Sequence, residues 1–401
     1  MPAGVVGCLA LLAIGWTALL IPSLIRSIEA TFDQTDAGIG LVYFVYSVAY
    51  ATGSLAGGPV TERLGRRTVL VAAALLHGVG LAALGLGGTW PAFVLATLPA
   101  GLGAGSIDGG ANGLFLDLFR SGRGRAMNLL HLCFSVGALS APLVVGLLVD
   151  RGVAWQAIMV GSGVAMLVLA VAFWIVPLPG GRRLRPDPAT SHDRATVPAS
   201  GAPQPSAALE PSKAGRGSGP RLITVPLALL GLAIGTYVAS EVGVSNWLVR
   251  FLEPAPLSTA TLALSLFWAG LAAGRLVSSQ IADRFDHIRF TTACSWLLAV
   301  ALAGAILVPL LPVSIGLFAL AGFASGPIFP MIVAIGGERY PDRSAAVGGF
   351  LTGMGVVGGT IYPPAMGILS VTVGLPIAMF GNVLLAIACG VALVLVGRRP
   401  R

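Results

Sequence analysis

Charged residues are scarce in this chain. Of its 401 residues, 10% are charged and 56% are hydrophobic, whereas about 25% of the residues in a typical soluble domain are charged. A chain with so few charges has too little polar surface for a soluble protein of this length. The composition therefore indicates a polytopic membrane protein and excludes a soluble enzyme.

Cysteine is also rare, and the sequence patterns of enzymes and metal sites are absent. The chain has four cysteines, all in apolar stretches, and we interpret them as small core residues because a disulfide framework belongs to an oxidising compartment. No pair has metal-ligand spacing, no nucleophile triad is visible, and there is no G-x-x-x-x-G-K-[ST] run for ATP. We predict a chain that is not an enzyme and that binds no metal.

Twelve apolar segments are each long enough to cross a bilayer, which takes about 20 residues. Such segments must be helices, because lipid offers no partner to backbone polar groups, and the alternation typical of a barrel is absent. The first segment lacks the features of a cleaved signal peptide, so we predict a retained span. Because almost nothing precedes that span, we also expect the natural start to lie further upstream. The segments cover residues 5–25, 37–58, 68–88, 91–118, 127–148, 155–177, 223–249, 259–281, 290–311, 314–336, 347–372 and 376–397.

The loops between these segments differ in positive charge. If the N-terminus is cytoplasmic, 20 of the 24 lysines and arginines lie in inside loops, three lie outside, and Arg275 lies within a segment. The positive-inside rule then predicts cytoplasmic termini in a multi-pass protein of the plasma (inner) membrane. The bias also explains the net charge of +8 without a nucleic-acid partner.

The chain divides into two similar halves. Residues 179–221 are rich in Pro, Gly, Ser and Ala and predict a disordered cytoplasmic linker. This linker separates a six-helix bundle at 1–178 from a second at 222–401. Glycines, prolines and acids of the first half recur in the second at one constant spacing, for example Gly105 as Gly326. This recurrence indicates a duplicated unit with a pseudo-two-fold axis along the membrane normal.

Two acids lie inside almost uncharged apolar stretches, Asp108 in the fourth segment and Glu241 in the seventh. A carboxylate at bilayer depth costs roughly 2.5–3.5 kcal/mol, so such acids usually face a protein interior or a water-filled path. We predict that both are proton-coupling residues. The alternative for Asp108 is a structural acid that accepts hydrogen bonds from backbone or from Asn112, which shares its helix face. The alternative for Glu241 is an outer-gate or structural hydrogen bond.

The loop after the second segment reads Gly58-Pro-Val-Thr-Glu-Arg-Leu-Gly-Arg-Arg67, with a degraded copy after the eighth. It resembles the signature loop of the major facilitator superfamily. This resemblance implies a monomer of twelve helices in two pseudo-symmetric bundles, with a central cavity lined by spans 1, 4, 7 and 10. It also implies that the loop locks the halves when the inside is closed, whereas the alternative is positive charge that only sets orientation. The predicted cytoplasmic gate comprises Gly58, Glu62, Arg63, Gly65, Arg66, Arg67, Asp283 and Arg284.

A finer resemblance follows from three runs in the fourth, fifth and seventh segments. They are Gly101-Leu-Gly-Ala-Gly-Ser-Ile-Asp-Gly-Gly-Ala-Asn112, Asn128-Leu-Leu-His131 and Tyr237-Val-Ala-Ser-Glu241. These runs resemble the fucose/galactose/glucose–proton symporter family, whose members import a hexose or deoxyhexose with a proton. Typical members also carry an acid in the first span, and segment 5–25 contains none.

A sugar site needs aromatic faces for the ring and carboxylates or amides for its hydroxyl groups. Aromatic residues near span ends are also common interface anchors, and a lone histidine in a membrane helix is often a packing residue. Arg275 is expected either to pair with an acid across the bundle or to extend toward the cytoplasm. The predicted substrate-binding residues are Asn112, Glu241, Trp16, Tyr46, Trp247, Asn128 and His131.

The leading hypothesis is a secondary transporter that imports a sugar with a proton by alternating access. Its partners would be a small-molecule substrate, protons and the lipid bilayer, and it would need no cofactor because the proton gradient is the energy source. The nearest alternative is proton-driven efflux of drugs or metabolites, which predicts an apolar cavity. The other is a membrane sensor or scaffold that binds a ligand without moving it.

Overall fold

The computed structural model describes residues 2–119, 123–179 and 224–399. Its regular elements there are α-helices and two 3-10 turns, and twelve candidate spans are long and apolar enough to cross a membrane. This confirms the predicted all-α membrane fold, while the predicted linker lies outside the described residues except for Pro179. The helices are α1 (Pro2–Ala18), α2 (Leu20–Phe32), α3 (Asp36–Leu64), α4 (Arg66–Leu86), α5 (Trp90–Leu118), α6 (Arg123–Asp150), α7 (Trp155–Ile175), α8 (Val225–Phe251), α9 (Leu257–Ile281), α10 (His287–Leu307), α11 (Leu311–Ser325), α12 (Ile328–Arg339), α13 (Ser344–Val373) and α14 (Leu375–Gly397).

Two spans are each built from two consecutive helices. α1 and α2 meet at Leu19, whose backbone angles (φ −100°, ψ 3°) leave the helical region. α11 and α12 meet at Gly326 and Pro327. A proline lacks the backbone N–H and clashes with the carbonyl four residues earlier, so it ends α11. The carbonyls of its last turn therefore need partners from outside the helix.

The first span is longer than the predicted segment 5–25. It runs from Pro2 to Phe32 and includes Arg26 and Glu29. The sequence prediction stops before these two charges, but α2 continues through them because both side chains are paired with the second half of the chain, Glu29 with Arg250. The first span therefore does contain an acid, near the face opposite the arginine-rich loops, which we call the predicted outer face.

Glycines set the packing within each half in the same way. A Cβ atom added at Gly105 of α5 would lie 1.9 Å from the carbonyl oxygen of Tyr50 on α3. A Cβ added at Gly326, at the end of α11, would lie 2.6 Å from the carbonyl oxygen of Leu271 on α9. Gly326 and Leu271 are the positions that correspond to Gly105 and Tyr50 in the duplicated sequence. Close packing of small residues therefore repeats in both bundles.

The halves meet through a similar symmetric pair of contacts. Gly146 of α6 lies against Thr261 of α9, and Gly367 of α13 lies against Gly40 of α3. In the duplicated sequence Thr261 corresponds to Gly40, and Gly367 corresponds to Gly146. All four residues lie toward those ends of their helices that reach the predicted outer face. The bundles are therefore closed against each other at that face.

Candidate transport site

Asp108 is held by two side chains of the first bundle. Tyr50 on α3 donates a hydrogen bond from its hydroxyl to Asp108 Oδ2 over 2.8 Å. Asn112, one helical turn along α5, donates from Nδ2 to Asp108 Oδ1 over 3.1 Å. Asn112 Oδ1 is itself buried and has no hydrogen-bond donor within the described part of the chain. The pair therefore presents a fixed carboxylate beside an unused amide acceptor.

Glu241 occupies a comparable place in the second bundle. The buried Tyr237 hydroxyl contacts Glu241 Oε2, one turn along α8, and also lies 2.9 Å from the carbonyl oxygen of Ser325. Ser325 is the last residue of α11, so the break in this span supplies the second acceptor. The break thus connects the tenth span to the Glu241 carboxyl group through the Tyr237 hydroxyl.

Two basic side chains interact electrostatically with the acids. His131 on α6 interacts electrostatically with Asp108 and with Arg275 of α9, and Arg275 also interacts with Glu241. α8 and α9 run in opposite directions, and each Cα–Cβ bond tilts toward the N-terminus of its own helix. Glu241 and Arg275 therefore lean toward each other along the span. The result is a polar series from Asp108 through His131 and Arg275 to Glu241 that connects the two bundles.

The family follows from a comparison with protein-family models. The model described as Major Facilitator Superfamily matches residues 5–240 and 222–401. The chain belongs to the major facilitator superfamily. It is therefore a multi-pass integral membrane transporter of small solutes, and both family and fold point away from an enzyme.

Individual members of the superfamily show similarity along most of the chain. The cis,cis-muconate transport protein of Acinetobacter baylyi is 25% identical over 379 residues, which cover 90% of this chain and 86% of that protein. The glucose/mannose transporter of Bacillus subtilis is 24% identical over 333 residues, covering 82% and 77%. A bacterial homologue of the human lysosomal transporter Spinster, solved in an inward-facing and unoccupied conformation, has the same fold, with a TM-score of 0.77, 15% identity and coverage of 99% and 96%.

Two predicted substrate-binding residues make their indole hydrogen bonds away from this polar series. Trp16 donates from Nε1 to Ser162 Oγ over 3.0 Å, which directs the indole toward α7 within the first bundle. Trp247 is fully buried and donates from Nε1 to the carbonyl oxygen of Pro363 over 2.8 Å. Both indole N–H groups are thus engaged by other helices of their own bundles. Their observed contacts are packing contacts between helices.

Other predicted residues do lie with the polar series. Tyr46 stands beside Tyr50, with 6.3 Å between the ring centroids, and so lies next to the partner of Asp108. His131, Asn112 and Glu241 are described above. The side chain of Asn128 lies outside the described residues. The structure therefore brings four of the predicted substrate-binding residues into or beside one group that spans both bundles.

The superfamily's signature loop braces helices within the first bundle. The buried Arg66 side chain forms an ion pair with Asp117 at the end of α5, with 2.5 Å between Nη2 and Oδ2. Arg67 donates to the carbonyl oxygen of Val176, just after α7, over 3.2 Å. Gly65 separates α3 from α4 with a positive φ of 84°, which favours glycine. These contacts hold α4, α5 and α7 together on the predicted inner face.

The second copy of the loop forms a corresponding pair. His287 Nδ1 lies 2.7 Å from Glu338 Oε1, and these residues correspond to Arg66 and Asp117 in the duplicated sequence. The remaining predicted gate residues Glu62, Arg63 and Arg284 have exposed side chains. Gly58 lies within α3, and the side chain of Asp283 is outside the part of the chain that the structure describes. A locking contact of the loop between the halves remains a prediction.

Sequence reasoning predicted Asn112 as a partner of Asp108, but it missed Tyr50, the link from Tyr237 to Ser325 and the residues at the predicted outer face. Tyr50 and Tyr237 belong to the site because helix packing and the broken tenth span bring them there. Tyr237 is one turn from Glu241, so helical spacing places both on one helix face, whereas the contact with Ser325 depends on the broken span. Tyr50 comes from another helix, and its position depends on the approach of α3 to Gly105.

Proposed function

We propose that the chain imports a sugar together with a proton by alternating access, with cytoplasmic termini in the plasma membrane. Asp108 and Glu241 would be the proton-coupling acids, and Asn112 with Tyr46 would contact the substrate. The state described here, closed at the predicted outer face, would be the one that releases the substrate inward. The main support for the proposal is the position of the Tyr237 hydroxyl between two acceptors, Glu241 Oε2 and the Ser325 carbonyl oxygen.

A tyrosine hydroxyl carries one proton, and that of Tyr237 meets both Glu241 Oε2 and the Ser325 carbonyl oxygen. If Glu241 were ionised, one of these acceptors would lack a donor, and a buried unsatisfied polar group costs about 1–3 kcal/mol. A protonated Glu241 resolves this conflict, because it donates to the Tyr237 oxygen while Tyr237 donates to Ser325. This geometry supports a proton on Glu241 in the outside-closed state.

The series between the two acids offers a route from proton binding to movement of the bundles. Asp108 lies in the first bundle and Glu241 in the second, while His131 and Arg275 interact with the acids from the facing helices α6 and α9. A proton on one acid changes how strongly the bundles attract each other at this depth. Alternating access in this fold is largely a rocking of one bundle against the other.

A hydroxylated substrate fits the unused hydrogen-bonding groups. Asn112 Oδ1 and Ser245 Oγ are both buried without a partner within the described part of the chain. Asn112 is one turn from Asp108, and Ser245 is one turn from Glu241. Sugar hydroxyl groups can donate a hydrogen bond to Asn112 Oδ1 and accept one from Ser245 Oγ. The similarity to a glucose/mannose transporter supports the same substrate class.

An organic acid is the second candidate substrate. The central series contains the cation Arg275, whose guanidinium group can bind a carboxylate through two parallel hydrogen bonds. An alignment with a cis,cis-muconate transport protein covers 90% of this chain, and this similarity favours an organic acid as the substrate. A dicarboxylate would compete with Glu241 for Arg275, whereas a sugar would leave their interaction in place.

Uptake into proteoliposomes separates these functions. Labelled hexoses, deoxyhexoses and cis,cis-muconate would be tested with an inward proton gradient, with and without a protonophore, in wild type and Asp108→Asn. We expect gradient-driven sugar uptake that Asp108→Asn loses while it still exchanges sugar across the membrane. Asp33→Asn is the matched control, because Asp33 is exposed and its φ of 49° suits asparagine.

Other outcomes point to specific alternatives. Uptake of muconate alone, lost in Arg275→Gln, would replace the sugar with an organic acid. Export of lipophilic compounds driven by the gradient would establish efflux. Saturable binding of a solute without flux under any gradient would leave the sensor or scaffold hypothesis. In the last two cases the import proposal would be wrong.

A further inference from the structure

A charged cluster joins the two bundles at the predicted outer face, and the transport site does not include it. Arg250, at the end of α8, lies 3.0 Å from Glu29 Oε2 and 2.9 Å from Asp36 Oδ1, both distances from its Nε. It also contacts Glu253 of its own bundle. Asp36 in turn accepts a hydrogen bond from the hydroxyl of Ser370 on α13. We call these five residues, together with Arg26, the outer cluster.

Arg26 is the second cation of the cluster, but its hydrogen bonds go to backbone. Its Nε and Nη2 donate to the carbonyl oxygen of Val249 over 2.9 and 2.6 Å, and its Nη1 donates to that of Ala255 over 2.8 Å. These carbonyls lie at and beyond the C-terminal end of α8, where helices attract cations. Arg26 therefore fastens α2 to the second bundle, and these three hydrogen bonds do not serve the neighbouring carboxylates.

The two buried acids of the cluster are crowded against each other. The side chains of Glu29 and Asp36 are 10% and 7% exposed, and both carboxyl groups approach the same atom, Arg250 Nε, Glu29 Oε2 at 3.0 Å and Asp36 Oδ1 at 2.9 Å. Glu29 Oε1 is buried without a hydrogen-bond donor within the described residues. Tyr43 of α3 interacts electrostatically with both acids, but its hydroxyl donates to the carbonyl oxygen of Asn246. A donor is thus missing where two carboxylates meet.

One proton would supply that donor. A carboxyl group beside a carboxylate forms a strong O–H···O⁻ hydrogen bond, whereas two carboxylates in contact repel each other. Counted over the whole outer cluster, Arg26 and Arg250 face three carboxylates when all the acids are ionised, and two when Glu29 and Asp36 share a proton.

We propose that Glu29 and Asp36 bind one proton between them when the outer cluster closes, and that this proton stabilises the outside-closed state. Opening separates α2 and α3 from α8 and α13, hydrates both acids and returns the proton to the outside. This proton is therefore not carried across the membrane. It makes the equilibrium between the two states depend on external pH, independently of the proton transport proposed for Asp108 and Glu241.

The direction of the effect follows from linkage. A ligand shifts a two-state equilibrium toward the state that binds it more tightly. The closed cluster binds the proton more tightly than the open one, because only the closed cluster places the two carboxyl groups together away from water. Acidification of the outside therefore favours closure of the outer face.

Distance measurements between spin labels test the proposal without any transport. Thr89→Cys and Leu310→Cys place labels on exposed positions of the α4–α5 and α10–α11 turns, one in each bundle, after replacement of the four native cysteines. In wild type, acidification should increase the population with the short distance. Glu29→Gln should show the short-distance population at every pH, because the glutamine amide donates a hydrogen bond to Asp36 whatever the external pH.

Two further variants make the outcomes distinct. Glu253→Gln removes the exposed acid that contacts Arg250, and this variant should keep the pH response of wild type. The double variant Asp108→Asn, Glu241→Gln should also keep it, which separates this proposal from the proposed transport mechanism. The proposal is wrong if Glu29→Gln responds to pH as wild type does, if Glu29→Gln holds the outer face open at every pH, or if the double variant abolishes the response.

Discussion

The hydroxyl of Tyr50 on α3 donates a hydrogen bond to the carboxylate of Asp108 on α5 over 2.8 Å. The contact exists because Gly105, about one turn before Asp108, lets α5 approach the backbone of α3 at Tyr50. A packing feature of the bundle therefore positions the acid to which we assign proton coupling.

Tyr50→Phe removes one donor from Asp108 with little change in shape. A hydrogen bond to a charged group contributes about 1.5–3 kcal/mol, so we expect proton-driven uptake to fall about tenfold or more, measured as initial rates in proteoliposomes. Tyr362→Phe is the control, because the Tyr362 hydroxyl donates a hydrogen bond to the carbonyl oxygen of Ala378 within the second bundle and not to Asp108. Equal activity of Tyr50→Phe and wild type would remove Tyr50 from the mechanism.

Glu241→Gln should imitate the protonated acid. The glutamine amide can donate to the Tyr237 oxygen, so we expect the protein to fold and to exchange substrate across the membrane. It cannot release a proton, so accumulation against a gradient should be lost. Counterflow and gradient-driven uptake, measured on the same vesicles, distinguish the two activities. Accumulation at the wild-type level would show that Glu241 is structural.

Tyr237→Phe tests the same hydrogen bonds by removing the hydroxyl group that joins Glu241 to Ser325. It leaves the Ser325 carbonyl and Glu241 without their common partner in a buried place, so we expect a loss of about 1–3 kcal/mol in stability. Thermal unfolding in detergent, monitored by tryptophan fluorescence, measures this loss. An unchanged melting temperature would mean that water replaces the hydroxyl, and that Tyr237 does not constrain the charge of Glu241.

Gly105→Ala should disrupt packing in the first bundle. The added Cβ would lie 1.9 Å from the Tyr50 carbonyl oxygen, and overpacking typically costs about 1–3 kcal/mol. We expect a lower melting temperature together with reduced transport. Gly161→Ala provides the control, because a Cβ at that helical position meets nothing within 4 Å. If both variants melt alike, α5 and α3 are further apart than described.

Arg66→Gln should loosen the predicted inner face. It breaks the ion pair with Asp117, whose side chain is 54% exposed, so solvent screening limits the expected loss to about 1 kcal/mol. Arg67→Gln should have a smaller effect because Arg67 is exposed. A thermal shift comparison of the two variants measures the difference. A larger loss in Arg67→Gln would contradict the bracing role assigned to Arg66.

Much of the architecture could be predicted because a bilayer restricts the possibilities. Twelve apolar stretches have to be helices, and the constant spacing between repeated residues indicates two equivalent bundles before any contact is known. The same spacing then relates contacts such as that of Gly105 with Tyr50 and that of Gly326 with Leu271. The signature loop indicates the family, since its glycine, acid and arginines occur together at one helix junction.

The site was predictable only in part. Asp108 and Glu241 are conspicuous because acids are costly in lipid, but Trp16 and Trp247 make packing contacts that no composition argument reveals. The first segment is predicted to stop before Arg26 and Glu29 because hydropathy treats each charge as if it stood alone. In the folded chain their partners come from the end of α8, in the other half of the chain.

The sequence by itself determined the class of protein, the number of spans, the internal duplication and the two acids within the membrane. These properties depend on local composition and spacing, which the hydrophobic thickness of the bilayer constrains directly. Only the tertiary structure decided the contact of Tyr50 with Asp108, the link from Glu241 through Tyr237 to Ser325, the outer cluster and the closure of the bundles at the predicted outer face. Such contacts join residues far apart in the chain, and they depend on how closely glycine-lined helices approach one another.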